Sequence, residues 1–157
     1  DVEAHVQDYT GPTGQGVGGG MKQRRNATAA ACDRVWGQTV LARARGRCYL
    51  CKRILSLEAH HIVFRSRTSD PSIRFDPDFG VGLCVRCHHQ APDAPHVDNA
   101  RFLLAVGTWM ANRERARWFK IQPFLFLPVR PFYGKADYAG ILRRLRVQCC
   151  EASIVRE

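Results

Sequence analysis

Two Cys-x-x-Cys pairs, Cys48/Cys51 and Cys84/Cys87, stand 32 residues apart and bracket a His60-His61 doublet, with His88 directly after the last cysteine. Each short turn can aim two sulfurs at one ion, so two such pairs match a closed tetrahedral zinc site. A site of that kind fastens two remote segments together and limits the possible folds more than any local propensity. Disulfides or free thiols are the competing readings of the same cysteines. Close pairing favours metal, and with it an intracellular, reducing compartment such as cytoplasm, nucleoid or an organelle matrix. Cys32, Cys149 and Cys150 lie outside the pattern and read as ordinary core or surface thiols.

A chain of 157 residues that is 45% apolar can form one compact domain with extensions, and a zinc staple would help so small a core offset its chain entropy. No apolar run reaches the length of a membrane-spanning helix, and the amino end lacks a basic-then-apolar secretory pattern. The net charge of +10 is unevenly placed. Residues 1–20 carry three acids and no bases, residues 21–47 seven bases against Asp33, and residues 98–157 eleven bases against five acids, while 48–97 is near balance. Positive charge thus flanks the cysteine region on both sides. A polyanion, DNA or RNA, is the natural partner, and a merely solvated basic surface is the plainer alternative.

Four segments follow from composition: a flexible Gly-rich tail or upstream remnant over 1–20, a basic helical extension over 21–46, the zinc-binding domain over 47–97, and a basic helical and extended region over 98–157. Met21 reads as a natural start. Periodicity predicts a helix from Asn26 to Arg45, a strand from Ile54 to Phe64, and a second strand over Gly80–Cys84 leading into a short helix that Pro92 stops. On the first strand Glu58 and His60 share one face and His61 falls on the other. Arg65–Asp78 reads as a long loop. Asp98 looks like the N-cap of a helix running to about Phe119, Gln122–Tyr133 is expected to be extended, and Asp137–Cys150 forms a last amphipathic helix.

The ordered string Cys48-x-x-Cys51, Glu58-Ala-His60-His61-Ile62, Arg65-Ser66-Arg67, Leu83-Cys84-x-x-Cys87-His88 resembles the HNH endonuclease family, in its four-cysteine zinc-binding form. The resemblance covers roughly residues 47–92. It implies an α+β fold, a small zinc-stapled ββα-metal core with helical basic extensions at both ends. It implies that His60 and His88 hold a catalytic divalent ion, Mg2+ or another, and that His61 is the general base. Arg65 or Arg67 would pair with a phosphate. Outside the resemblance, the arginines of the basic helix, Arg43 and Arg45 among them, either face phosphates or form its solvated side. The implied activity is metal-dependent hydrolysis of phosphodiester bonds in DNA.

Two departures from the family pattern stand out. The middle Asn position falls on Phe79, which lacks the hydrogen bonds that hold the base-bearing strand, and neighbouring Asp78 is offset by one residue. One turn after His88, where a further ligand is often placed, the chain has Pro92, leaving His89, Asp93 or His96 to complete the shell. The alternative function is therefore a catalytically inactive zinc module that binds nucleic acid, RNA included, as a structural component of a larger protein or nucleoprotein assembly. A zinc finger of another type is disfavoured by the long spacing between the cysteine pairs.

Overall fold

A computed structural model describes residues 20–64, 70–126 and 134–154. Helix α1 spans Gly20–Ala44, strand β1 Leu57–His61, helix α2 Pro71–Arg74, strand β2 Gly80–Cys84, helix α3 Asn99–Arg113, helix α4 Arg115–Phe126 and helix α5 Tyr138–Ile154. A one-turn 3-10 segment, Pro77–Phe79, leads into β2, and a π-helical turn, Arg86–Gln90, leaves it. This is a small α+β fold with a two-stranded antiparallel sheet. Among the described residues no helix is long and apolar enough to cross a membrane.

The strands pair with Leu57 opposite Cys84, Glu58 opposite Leu83, His60 opposite Val81 and His61 opposite Gly80. Only the middle of the expected Ile54–Phe64 strand is extended in the ladder, because β2 offers just five residues to pair with. Ile54 makes an isolated bridge to Arg47, and Ile62 donates its N–H to the Phe79 carbonyl at 2.8 Å. Helix α1 lies on the sheet face that carries Ala59 and His61. It comes so close that a Cβ on Gly80 would meet Trp36 Cζ2 and Val40 Cγ2 at 2.5 Å, and one on Gly82 would meet Ala44 Cβ at 2.8 Å. Bare glycine backbone at these two positions is what lets the helix seat.

Two apolar clusters hold these elements. Cys32, Trp36, Val40, Phe75, Ile141 and Leu145 join α1 to α2 and α5. Ile62, Phe79, Leu83, Phe102, Met110 and Ile121 join the sheet to α3 and α4. At about 25 cal/mol per Å2 of apolar area buried, each large side chain stabilises its cluster by about 2 kcal/mol. The outward arginines of α5, Arg143, Arg144 and Arg146, are exposed as its pattern predicted, and Asp137 accepts from the Gly140 N–H at the helix start.

Three expectations need correction. The helix capped by Asp98 stops at Arg113, and α4 begins two residues later. Glu114 leaves the helical conformation, its carboxylate taking Arg117 at 2.6 Å and the Tyr49 hydroxyl at 3.1 Å, while Trp118 folds back over Gly107. Helix α4 continues through Pro123 to Phe126, where extended chain was expected, because buried Ile121 and Leu125 anchor its far end. The rest of that stretch, 127–133, lies outside the described residues. The loop before β2 contains α2, whose N-cap Asp70 accepts from the Ser72 N–H.

Candidate metal centres

The two cysteine turns converge. All four sulfurs lie within 4.8 Å of one another, and Cys51 Sγ is 3.9 Å from Cys84 Sγ. Four Zn–S bonds of about 2.3 Å in a tetrahedron put neighbouring sulfurs about 3.8 Å apart, so this set can hold one ion such as Zn2+. The first turn is closed by Lys52, in the left-handed region at φ 60°, donating its N–H to the Cys48 carbonyl, and it is tied to β2 by Tyr49 N–H to Gly82 O at 2.9 Å. Burial pushes the Cys48 thiol up, but N–H groups of Cys84, Cys51 and Leu50 at its sulfur outweigh that and bring it down to about 7. Backbone donors at Cys48 favour the thiolate that a metal ligand requires, whereas burial and crowding against Cys84, Cys48 and Cys51 push the Cys87 thiol up, and Cys51 is also raised. All seven cysteines are free, so nothing here supports the disulfide alternative.

Beside this set lies a second cluster. Strand alternation puts Glu58 and His60 on the sheet face away from α1, and the π-helical turn after β2 brings His88 to them. His60 Nδ1 lies 2.9 Å from His88 Nε2, and His96 Nε2 lies 3.2 Å from the same atom. Glu58 Oε2 accepts from His88 Nδ1 at 2.6 Å and from His89 Nε2 at 2.9 Å. His60 and His88 are buried and His96 is exposed, so the cluster opens to solvent on one side. Burial, reinforced by the positive charge that His88 and His96 can carry, pushes His60 down to about 3. Burial also lowers His88, against the pull of Glu58. Both rings therefore keep their lone pairs at neutral pH.

His61 points the other way, onto α1. Its ring stacks on Trp36 with centroids 3.6 Å apart and planes within 10°. Its Nε2–H donates to the Arg74 carbonyl at 3.0 Å. The Trp36 indole is itself fixed by donating to the Asp76 carbonyl at 3.1 Å.

Phe79 turns its ring onto Phe124, with centroids 5.5 Å apart, and the aromatic neighbours of His60 are Phe64 and Phe102. Asp78 does not take up the missing Asn function, because its carboxylate pairs with Arg43 at 2.8 Å and Lys120 at 2.6 Å. Arg43 is thereby partly neutralised, whereas Arg45 is exposed just past α1. Arg65 and Arg67 lie outside the described residues. Of the three residues open for a third ligand, only His96 brings a ring nitrogen within 4.8 Å of those of both His60 and His88. His89 joins His88 and Glu58 in a second possible ligand set and stacks on His96, and Asp93 lines a separate cleft.

That cleft, about 570 Å3, runs along the first cysteine turn past exposed Lys52, Arg53 and Arg86 to Trp109, and a second of about 260 Å3 shares its Tyr49–Lys52–Trp109 wall. Lys52 Nζ sits 3.3 Å from the Trp109 ring centroid. Sequence reasoning missed Trp109 as a surface feature, because its helical spacing reads as core. It also missed Trp36, and no local signal links that residue to His61. Comparisons with protein-family models, curated proteins and solved structures find no match.

Proposed function

We propose that the chain is an HNH-type, metal-dependent endonuclease that hydrolyses phosphodiester bonds in DNA. What carries this reading is the meeting of His60 and His88 beside the four cysteines, with His61 next in sequence. His60 and His88 would hold a divalent ion, which when bound offsets negative charge building on the phosphate and on the departing 3′ oxygen. His61 would take the proton of the attacking water, which requires its ring to leave Trp36 and turn toward the ion, because it lies on the opposite sheet face from His60. The structural Zn2+ expected at Cys48, Cys51, Cys84 and Cys87 would lock the strand pair to the turn that carries His88.

The Tyr49–Lys52–Trp109 clefts support a nucleic-acid partner, since they join basic side chains to an aromatic face. Arg45 at the end of α1, and Arg65 and Arg67 in sequence after the doublet, would add phosphate contacts. The test is cleavage of supercoiled plasmid with Mn2+, Mg2+ or Zn2+, by the parent chain and by His61→Ala. Cutting by the parent that drops at least about a hundredfold in the variant is the expected result. Equal cutting by both removes the assignment.

One observation favours the second reading, a catalytically inactive zinc module that binds nucleic acid, RNA included, within a larger assembly. Trp36 covers one face of His61, and Phe64 and Phe102 crowd His60. Rings packed in this way are also what a retired site would show. Tight binding of oligonucleotide without cutting by the parent under any metal selects this reading.

A further inference from the structure

We propose that His96 is the third ligand of the histidine site, and that the site takes a borderline transition ion such as Zn2+ or Co2+ in preference to Mg2+. The inference rests on the reading above only for what the ion is used for, and its location comes from geometry.

Nitrogens from three rings converge there: His60 Nδ1 and His96 Nε2 approach His88 Nε2 at 2.9 and 3.2 Å. Four-coordinate Zn2+ with Zn–N bonds of about 2.0–2.1 Å sets neighbouring nitrogens about 3.3–3.4 Å apart, so these separations are only a few tenths short. Hydrogen bonding accounts for only part of the cluster. The Glu58 carboxylate takes the proton of His88 Nδ1, so neutral His88 offers one lone pair at Nε2, which an N–H of one ring can fill, yet two other rings aim at it. A cation is a partner that all three nitrogens can share. The second nitrogen of His60, Nε2, is buried with no hydrogen-bond partner among the described residues. An orphan of that kind is costly, and a purely structural ring would be placed to avoid it. The ring is placed instead for what Nδ1 meets.

The surroundings hold the other two rings from behind. Glu58 anchors His88, as carboxylates behind metal-bound imidazoles do, and also anchors His89, whose ring stacks on His96 with centroids 5.1 Å apart and planes within 10°. Pro92 ends the turn that carries His88 and lets the chain double back. Buried Ala94, donating to Ala91 O and accepting from Val97 N–H, pins the return so that His96 faces the pair. The donor set then selects the ion. Mg2+ favours oxygen ligands in octahedral array, and three imidazoles suit Zn2+, Co2+ or Ni2+.

The test is titration with Co2+, followed by absorption and by equilibrium dialysis. Two ions per chain are expected, one with sulfur-to-metal charge transfer from the four-cysteine set and one without it. His96→Ala should bind the second ion at least about a hundredfold more weakly and Glu58→Gln about ten- to a hundredfold more weakly, with the charge-transfer band of both intact as the control for folding. A tenfold excess of Mg2+ should leave the second Co2+ in place. A second Co2+ bound as tightly by His96→Ala as by the parent, or one released by Mg2+, overturns the inference. A chain that meets every binding expectation yet cuts no plasmid retains this site and loses the nuclease reading, so the two failures are told apart.

Discussion

Phe79 occupies the position where the resembled family carries an amide, and restoring that amide is expected to harm the protein. The side chain is 3% exposed, within the cluster of Ile62, Leu83 and Phe102, and packs edge-on against Phe124. Removing a buried phenyl ring costs about 3–5 kcal/mol. An Asn amide left there without partners adds about 1–3 kcal/mol. The two are not strictly additive, so Phe79→Asn is expected to lose about 4 kcal/mol or more, a large part of a small domain's stability. Phe79→Leu, which keeps most of the volume, should lose only about 1 kcal/mol. Urea denaturation followed by fluorescence in the presence of Zn2+ gives both values from shifts in the midpoint at constant slope. The strand-holding role is met here by backbone, through Ile62 N–H to Phe79 O and His61 to Arg74 O, which any residue at 79 and 74 supplies. Phe79→Asn within about 1 kcal/mol of the parent, or more active than the parent, would refute this reasoning.

Chelation, or Cys84→Ser, should unfold the strand pair, since a two-stranded ladder of five residue pairs is not stable alone and a structural Zn2+ contributes about 10 kcal/mol or more. The α1–α5 cluster contains none of the four cysteine ligands, so part of the far-ultraviolet helical signal should survive; an unchanged melting curve would contradict this. Gly80→Ala should lower stability by about 1–3 kcal/mol in thermal melts, because the new methyl collides with Trp36 and Val40. Burial raises the Asp78 carboxyl, but Lys120 and Arg43 outweigh it and hold the group below its ordinary 3.8. Its stabilisation is therefore complete above about pH 4 and lost as pH falls through the lowered value, so Asp78→Asn should cost about 1 kcal/mol at pH 7 and progressively less in acid. A pH-independent difference would contradict the pairing.

The sequence made legible whatever depends on short range. Cysteine spacing foretold one cluster of four sulfurs, and strand alternation foretold that His60 and His61 face opposite ways. Identical reasoning ranked His96 no higher than His89 or Asp93, because its approach depends on how the chain turns after two prolines, Pro92 and Pro95. The break at Glu114 was hidden because the apolar stripe of α3 runs on into α4 without a breaker, and what ends the helix is a tertiary grip by Tyr49 and Arg117. Pro123 misled in the opposite sense. Its ring is exposed and the flanking Ile121 and Leu125 are buried, so tertiary packing overrides the local penalty.

The indole of Trp36 comes from a helix that precedes both cysteine pairs, yet it roofs Gly80 and forms one wall of His61. A fragment trimmed to the cysteine bracket would therefore strip its own doublet of that wall. Exchanging the first helix, or just its tryptophan, becomes a handle on the surroundings of His61 that leaves every side chain of the two candidate metal clusters untouched.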